Sequence, residues 1–320
     1  MRSLRAVLAL TVMVALGLVA AAVASGASTN KNLVLIQGTK ADNFYVTMGC
    51  GAQSEAKKLG YNIKVEGPAD FSAPQQIPIV QSVTATKPAA VLIAPTDEKA
   101  LIAPMKAMKA AGIKVIQVDT TVSNTSMVSA SISSDNELGG KLAADYLAKA
   151  LGKKGGSVVV MNEQPGVSTT EARIAGFVKE IKKYKNIKLL KTQFTGDNPA
   201  QAASTISSLF AANPTLGGVF ATNVLVAEGT DTGLKNAGVA GKVKIVGYDA
   251  DPEQVTDLKK GVVQALIAQE PFQEGVQGVK QAVNALTGKK VTKSILTKLA
   301  VLTKSNLKAK SSFIYESSCS

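Results

Sequence analysis

The sequence predicts an α/β fold made of two lobes of parallel sheet with one cleft between them. Two observations carry that prediction. The first is that apolar stretches such as Val91-Leu92-Ile93-Ala94 and Val219-Phe220-Ala221 are continuous rather than alternating. Such runs mark strands covered on both faces, and the helix-length segments between them join the strands in parallel. The second is an internal echo, in which 218–249 repeats 90–119 almost element for element. In the later copy Gly218-Val219-Phe220-Ala221 ends at Thr222-Asn223, a helical segment runs to Ala237-Gly238, and an apolar run over 243–248 ends in Asp249. In the earlier copy the first run ends at Pro95-Thr96, the helical segment runs to Ala111-Gly112, and the run over 113–118 ends in Asp119. Each copy is a βαβ unit. In open parallel sheets ligands collect beyond the carboxyl ends of the strands, where Asn223, Asp249 and Asp119 fall.

Taken in order, Arg2 and Arg5 precede an uncharged apolar run over 6–24 that closes on Ala22-Val23-Ala24. A basic start, an apolar centre and a small-residue end are an export signal, so residues 1–24 are assigned to a signal peptide and the mature chain begins near Ser25. An uncleaved signal-anchor is the alternative, because the run is close to bilayer-spanning length. A strand over 33–37 and the loop 38–43 lead into a helix over 44–59, which Gly60 stops. A strand over 62–66 follows, then a helix over 72–86 opened by Pro74, and then the first echo unit. The Ser- and Thr-rich stretch 120–135 reads as an extended connector, and Asp135-Asn136 caps a helix over 137–151. Residues 157–161 begin the second lobe, with a helix over 170–184, a strand over 187–193, a helix start at Asp197-Asn198-Pro199 and the second echo unit. Residues 258–269 read as a strand that returns the chain toward the first lobe, and 272–286 as a helix. The lobes are expected at 28–134 plus 270–296 and at 135–269 plus 297–320.

At 320 residues with 46% apolar content the chain has enough material for two packed cores. The formal charge of +13 raises the question of nucleic acid. The lysines are spread along the chain, however, and the densest group (Lys179, Lys182, Lys183, Lys185, Lys188, Lys191) has only Tyr184 among it, so a solvated surface is expected and no nucleic-acid partner. With no His, His-based triads and His metal sites are excluded. The loop Gln37-Gly38-Thr39-Lys40-Ala41-Asp42 after the first strand lacks the G-x-G-x-x-G fingerprint, and neither a G-x-S-x-G elbow nor a Walker loop is present. The chain is therefore not expected to be an enzyme, and no cofactor or metal is expected. Cys50 and Cys319 are the only cysteines, and export places them where such a pair oxidises, so a bridge tying the tail to the first helix is expected.

Asp42-Asn43-Phe44-Tyr45, Ala94-Pro95-Thr96-Asp97, Val118-Asp119, Arg173-Ile174-Ala175-Gly176-Phe177, Ala221-Thr222-Asn223, Val246-Gly247-Tyr248-Asp249 and Ile267-Ala268-Gln269 stand in one order and spacing. In that order the chain resembles the ribose-type periplasmic sugar-binding proteins over essentially its whole mature length. The resemblance implies the type I periplasmic-binding-protein fold: two Rossmann-like lobes joined by three crossings and closing over one sugar. It implies the solute-receptor subunit of an ABC importer, a monomer working with a permease in the periplasm or at the outer face of the cytoplasmic membrane. A receptor for an amino acid, a nucleoside or a furanosyl signalling compound, serving chemotaxis or sensing, is the alternative on the same fold. A lactose-repressor-type regulator shares the two-lobe body but would carry a helix-turn-helix where this chain has an export signal.

The resemblance also implies the ligand set Asp42, Phe44, Tyr45, Asp119, Arg173, Asn223, Asp249 and Gln269. Phe44 and Tyr45 match paired aromatics that stack on the C–H faces of a sugar; by composition alone such a pair at a helix start reads as core. Carboxylates accept from adjacent hydroxyls, while Arg, Asn and Gln donate to hydroxyl and ring oxygens. Loop capping by the two post-strand aspartates and a surface charge at Arg173 are the structural alternatives. Asp42 in place of Asn, Ala94 in place of Asn, Thr120 in place of Arg, and Asp197 near an aromatic lid depart from the ribose pattern. With three aspartates facing one arginine the expected cleft is net acidic, which favours a neutral pentose, hexose, deoxysugar or polyol over an anion.

Overall fold

The structure is a computed structural model that describes residues 30–40 and 42–319. The expected export signal lies outside the described residues, and among these no helix is long and apolar enough to cross a membrane.

The first lobe begins with strand β1 (Asn32–Ile36), helix α1 (Asn43–Leu59), β2 (Asn62–Glu66), α2 (Ala73–Thr86), β3 (Ala90–Ile93), α3 (Ile102–Ala110), β4 (Lys114–Val118) and β5 (Ala130–Ser134). The chain then enters the second lobe with α4 (Asn136–Leu151), β6 (Gly156–Asn162), α5 (Ser168–Ile181), β7 (Ile187–Leu189), β8 (Gln193–Phe194), α6 (Pro199–Ala212), β9 (Leu216–Ala221), α7 (Val224–Asn236), β10 (Lys244–Tyr248), α8 (Pro252–Lys260) and β11 (Ala265–Ala268). Helix α9 (Pro271–Leu286) returns to pack on α1, β12 (Ser294–Thr297) pairs with β5, and β13 (Ala300–Leu302) pairs antiparallel with β11. The chain thus crosses between sheets three times, at 134–136, 268–271 and 297–300.

One sheet runs β12-β5-β4-β3-β1-β2 and the other β13-β11-β10-β9-β6-β7, with β8 beside β6. Counting strands within each lobe and leaving the two-residue β8 out of the count, both follow the order 2-1-3-4-5 of doubly wound sheets. The echo in the sequence is this repeated topology: β3–α3–β4 and β9–α7–β10 hold the same place in the two lobes. The central strands β3 and β11 are apolar throughout and wholly buried, because helices cover both faces.

Three expectations are corrected. The stretch 120–135 is not wholly a connector, since Ala130–Ser134 is a strand alternating buried and half-buried residues beside β4. Residues 258–260 end α8, which a capping box of Asp251 and Gln254 starts and Gly261 stops in the left-handed region, so the returning strand is confined to Ala265–Ala268. The expected strand over 187–193 is divided into β7 and β8, both pairing with β6.

Helix α1 carries the first lobe's share of the cleft. Asp42 starts it, its carboxylate accepting from the Phe44 N–H at 2.7 Å, and Gly60 ends it with φ 73°. Its contact with α9 is backbone to backbone: a Cβ on Gly51 would strike the Phe272 carbonyl, and one on Gly275 the Met48 carbonyl. Cys50 of α1 and Cys319 of the tail are joined by a disulfide across 269 residues of sequence.

Candidate functional site

A cavity lies between the lobes, with about 350 Å³ of space free of protein atoms once the open solvent at its mouth is included. All eight residues of the expected set line it. Asp42, Phe44, Tyr45 and Asp119 come from the first lobe, and Arg173, Asn223, Asp249 and Gln269 from the second or its boundary.

Asp119 and Asp249 follow β4 and β10 with left-handed backbones, φ 60° and 77°. Asparagine and aspartate tolerate this region better than other non-glycine residues, so an Asp can end the strand and turn its carboxylate across the sheet edge. The Asp119 N–H donates to the Ile132 carbonyl and the Asp249 N–H to that of Ile267, each at 2.8 Å. One oxygen of each carboxylate is held by a tyrosine: the Tyr45 hydroxyl donates to Asp119 Oδ2 and the Tyr315 hydroxyl to Asp249 Oδ1, both at 2.7 Å. Gln269 Nε2 also donates to Asp249 Oδ1 at 2.7 Å, while its own buried Oε1 has no hydrogen-bond partner among the described residues.

Arg173 projects from α5 with Nε donating to Asn136 Oδ1 and Nη1 to the Thr222 carbonyl, both at 2.8 Å. Its guanidinium lies 3.7 Å from the centroid of the Tyr248 ring. It is buried, which answers the surface-charge alternative. These contacts pin the guanidinium and leave Nη2 without a hydrogen-bond partner among the described residues.

Asn223 is placed in the cavity wall, but its side chain is engaged. Its Oδ1 accepts from Val226 N–H as the cap of α7, and its Nδ2 donates to Glu163 Oε2 at 3.2 Å and Asp197 Oδ1 at 2.8 Å. Phe44 packs edge-on against both Tyr45 and Tyr315, and Tyr45 stacks on Phe71.

Sequence reasoning missed Phe71 and Glu163 in the wall and Tyr315 behind it, and noted Thr120 there only as a departure from the ribose pattern. Asp197, noted only as a departure, also lines the cavity. Five carboxylates (Asp42, Asp119, Glu163, Asp197, Asp249) therefore face the single cation Arg173 among the described lining residues. Burial dominates their titration. It raises Asp119 to about 6 despite Arg173 and the Tyr45 hydrogen bond, and it raises Asp249 despite Arg173, Gln269 and Tyr315. Burial lifts Asp42 well above the carboxylate range, with Asp249 adding to it, and Glu163 likewise, with Asp197 adding. The half-buried Asp197 is pushed up to about 7.

The lobes touch across the mouth of the cavity. Asn43 Nδ2 donates to Asp251 Oδ2 at 2.6 Å, the Thr121 N–H to Ser168 Oγ at 2.8 Å, and Gln164 Nε2 to the Phe71 carbonyl at 3.3 Å.

Comparison with known proteins gives this geometry a family. The chain is 35% identical over 271 residues to the ribose import binding protein of Salmonella typhimurium, covering 85% of this chain and 90% of that one. An ABC transporter solute-binding protein from Agrobacterium vitis solved with α-D-tagatopyranose is 40% identical with a TM-score of 0.86, covering 89% of this chain and 99% of that one. A second solute-binding protein from the same organism, solved with D-fucose, is 28% identical with a TM-score of 0.85, covering 89% and 100%. A family model described as the periplasmic binding protein domain matches residues 33–290, and the chain belongs to that family.

Proposed function

We propose that the chain is the exported receptor of an ABC importer, holding one neutral monosaccharide or polyol between its lobes and presenting it to a permease at the membrane. The observation that carries this reading is the pair Asp119 and Asp249. Each has one carboxylate oxygen fixed by a tyrosine and the other without a hydrogen bond among the described residues, from opposite lobes of one small cavity. Two such oxygens accept from ring hydroxyls, Arg173 Nη2 donates to a ring or hydroxyl oxygen, and Gln269 Oε1 supplies a further acceptor. The Phe44 and Tyr45 rings offer apolar faces to the C–H side of a sugar. An anion would meet five carboxylates and one guanidinium, so the ligand is neutral.

Because the two lobes contribute complementary halves of the ligand shell, only the closed form makes every contact. The ligand therefore shifts an open–closed equilibrium by its differential affinity for the closed form, with the three crossings as hinge. On this reading the chain is a monomeric receptor that catalyses no reaction, in keeping with relatives that are import-binding and solute-binding proteins.

A thermal-shift screen tests this directly, with D-tagatose, D-fucose, D-ribose and hexitols against amino acids and nucleosides as contrasts. A sugar at a hundred times its dissociation constant adds about 2.7 kcal/mol of stability and moves the melting point visibly. Shifts confined to amino acids or nucleosides would overturn the reading.

A further inference from the structure

The carboxyl-terminal tail ends in a disulfide, yet the residue it brings to the site is Tyr315. Phe44, Thr47 and Cys50 lie three residues apart on one face of α1. The tail runs antiparallel along that face. Cys319 is bonded to Cys50, the Glu316 N–H donates to Thr47 Oγ1 at 2.7 Å, and the Tyr315 ring meets the Phe44 ring edge-on at 5.7 Å. At its other side Tyr315 belongs to the second lobe: its N–H donates to the Ala250 carbonyl at 3.0 Å and its hydroxyl to Asp249 at 2.7 Å. The same hydroxyl accepts from the Gln269 N–H at 3.3 Å. Tyr315 is 3% exposed and does not line the cavity, so it acts on the ligand through Asp249 and Gln269.

The repeated topology shows why a tail is needed. In the first lobe the tyrosine that fixes Asp119 comes from α1, the helix after that lobe's first strand. The corresponding helix of the second lobe, α5, supplies Arg173 instead and no tyrosine. The tail fills the vacant role and, in doing so, spans from the first lobe's helix to the second lobe's binding turn.

Resting on the sugar-receptor reading above, we propose that Tyr315 is a positioning residue of the binding site and that the Cys50–Cys319 disulfide clamps it there, as a fourth and covalent tie between the lobes. Removing the hydroxyl leaves Asp249 with one donor fewer and the Gln269 N–H without its acceptor. Removing the disulfide frees the tail from α1 and lets Tyr315 leave Asp249.

The test uses the full mature chain as wild type, as Tyr315→Phe, as Cys50→Ser with Cys319→Ser, and as the triple variant. Binding of D-tagatose, D-fucose and D-ribose is measured by calorimetry, and amide hydrogen exchange at Asp249 and Gln269 is followed without sugar. Tyr315→Phe keeps the ring contact with Phe44 and is expected to weaken binding of whichever sugar binds wild type by roughly tenfold, the loss of one charge-assisted hydrogen bond. It is also expected to speed exchange at Gln269. The double cysteine variant moves both readouts the same way, and the triple variant adds little to either single change, because both act through one contact. Unchanged exchange at Gln269 in Tyr315→Phe, or additive effects in the triple variant, would overturn the proposal. If wild type binds none of the three sugars, the sugar reading fails, and the exchange data still decide the role of the tail.

Discussion

Asp119 and Asp249 are pseudo-symmetric partners: each follows the fourth strand of its lobe, each has a left-handed backbone, each donates its N–H to the fifth strand at 2.8 Å, and each accepts a tyrosine hydroxyl at 2.7 Å. Two lobes that close on one ligand thus bring the same device to it from opposite sides. Asp119→Asn and Asp249→Asn keep a residue type at ease in the left-handed region while removing the charge. Each is expected to weaken sugar binding by about two orders of magnitude, at roughly 1.5–3 kcal/mol per charge-assisted hydrogen bond, with little change in the far-ultraviolet circular dichroism. Calorimetric titration of the two variants checks this, and unchanged affinity in both would remove them from the ligand shell.

Burial of Asp119 has a consequence for pH. Its carboxyl titrates near 6 in the folded protein, above the ordinary value of 3.8, so between about pH 4 and about pH 6 the native state holds a proton that the unfolded chain has released. The stabilising contribution is therefore complete below the unfolded value and is lost as pH rises through the folded one. Ligand-free wild type is expected to lose on the order of 1–2 kcal/mol from this group across that window, and Asp119→Asn to lack that part of the slope. Sugar hydroxyls favour the ionised carboxylate, so binding near pH 6 should release protons. Calorimetry in buffers of different ionisation enthalpy measures that release; proton uptake on binding would contradict the assigned hydrogen-bond direction.

Glu274, in the first turn of α9, joins all three crossings. Its Oε1 accepts from the hydroxyls of Ser134 at 3.1 Å, just before the first crossing, and Thr297 at 3.2 Å, just before the third, while Glu274 itself follows the second. The residue is wholly buried, Oε2 has no hydrogen-bond partner among the described residues, and burial holds the carboxyl well above the usual range, with Asp119 adding to it and Arg173 opposing. A neutral carboxyl at the hinge is imitated by an amide. Glu274→Gln should stay within about 1 kcal/mol of wild type, whereas Glu274→Ala should lose roughly 1–3 kcal/mol by removing the buried acceptor that the Ser134 and Thr297 hydroxyls share. Equal melting-point losses in the two variants would show that the carboxyl is ionised.

The fold was legible because parallel strands covered on both faces are written as continuous apolar runs, and because the β3–α3–β4 unit is repeated as β9–α7–β10. What escaped was set by contacts distant in sequence. Ala130–Ser134 has Ile132 as its one large apolar residue among Ala and Ser, too weak an apolar run to mark a strand, and it is a strand because β4 and β12 flank it. In the site, the family pattern carried the eight wall positions but not the hydrogen bonds among them. Asn223 looked like a ligand donor, yet its amide is taken up by Glu163 and Asp197, two carboxylates from other loops. Tyr315 could not be found from spacing, since it reaches Asp249 only because the tail is laid along α1.

The disulfide closes 269 residues of chain, and a loop of that length is where a cross-link restricts the unfolded state most. In the chain-entropy model such a bond contributes about 5 kcal/mol. The Cys50→Ser and Cys319→Ser double variant should therefore melt well below wild type while remaining folded at 25 °C. Denaturant unfolding with and without the bond gives the difference, and midpoints that coincide would show that the tail is held by its hydrogen bonds alone.

Closure can be read at one part-buried contact. Asn43 stands at the start of α1 and Asp251 at the start of α8, on opposite lobes, and the 2.6 Å hydrogen bond between them exists only while the lobes are together. Neither residue lines the cavity. Asp251 also caps α8 through Oδ1, so replacing it would disturb the helix, whereas Asn43→Ala removes the interlobe bond alone. The apparent dissociation constant scales inversely with the fraction of protein able to close. A net bond of roughly 1 kcal/mol should therefore weaken sugar binding about fivefold. The loss should fall on the dissociation rate, because the bond forms after the ligand has entered the open cleft. Small-angle scattering provides the companion measurement: wild type should contract when saturated with a sugar that binds it, and Asn43→Ala should reach the same compact dimensions at a higher sugar concentration. Dimensions that do not change in wild type at saturation would remove hinge closure from the mechanism.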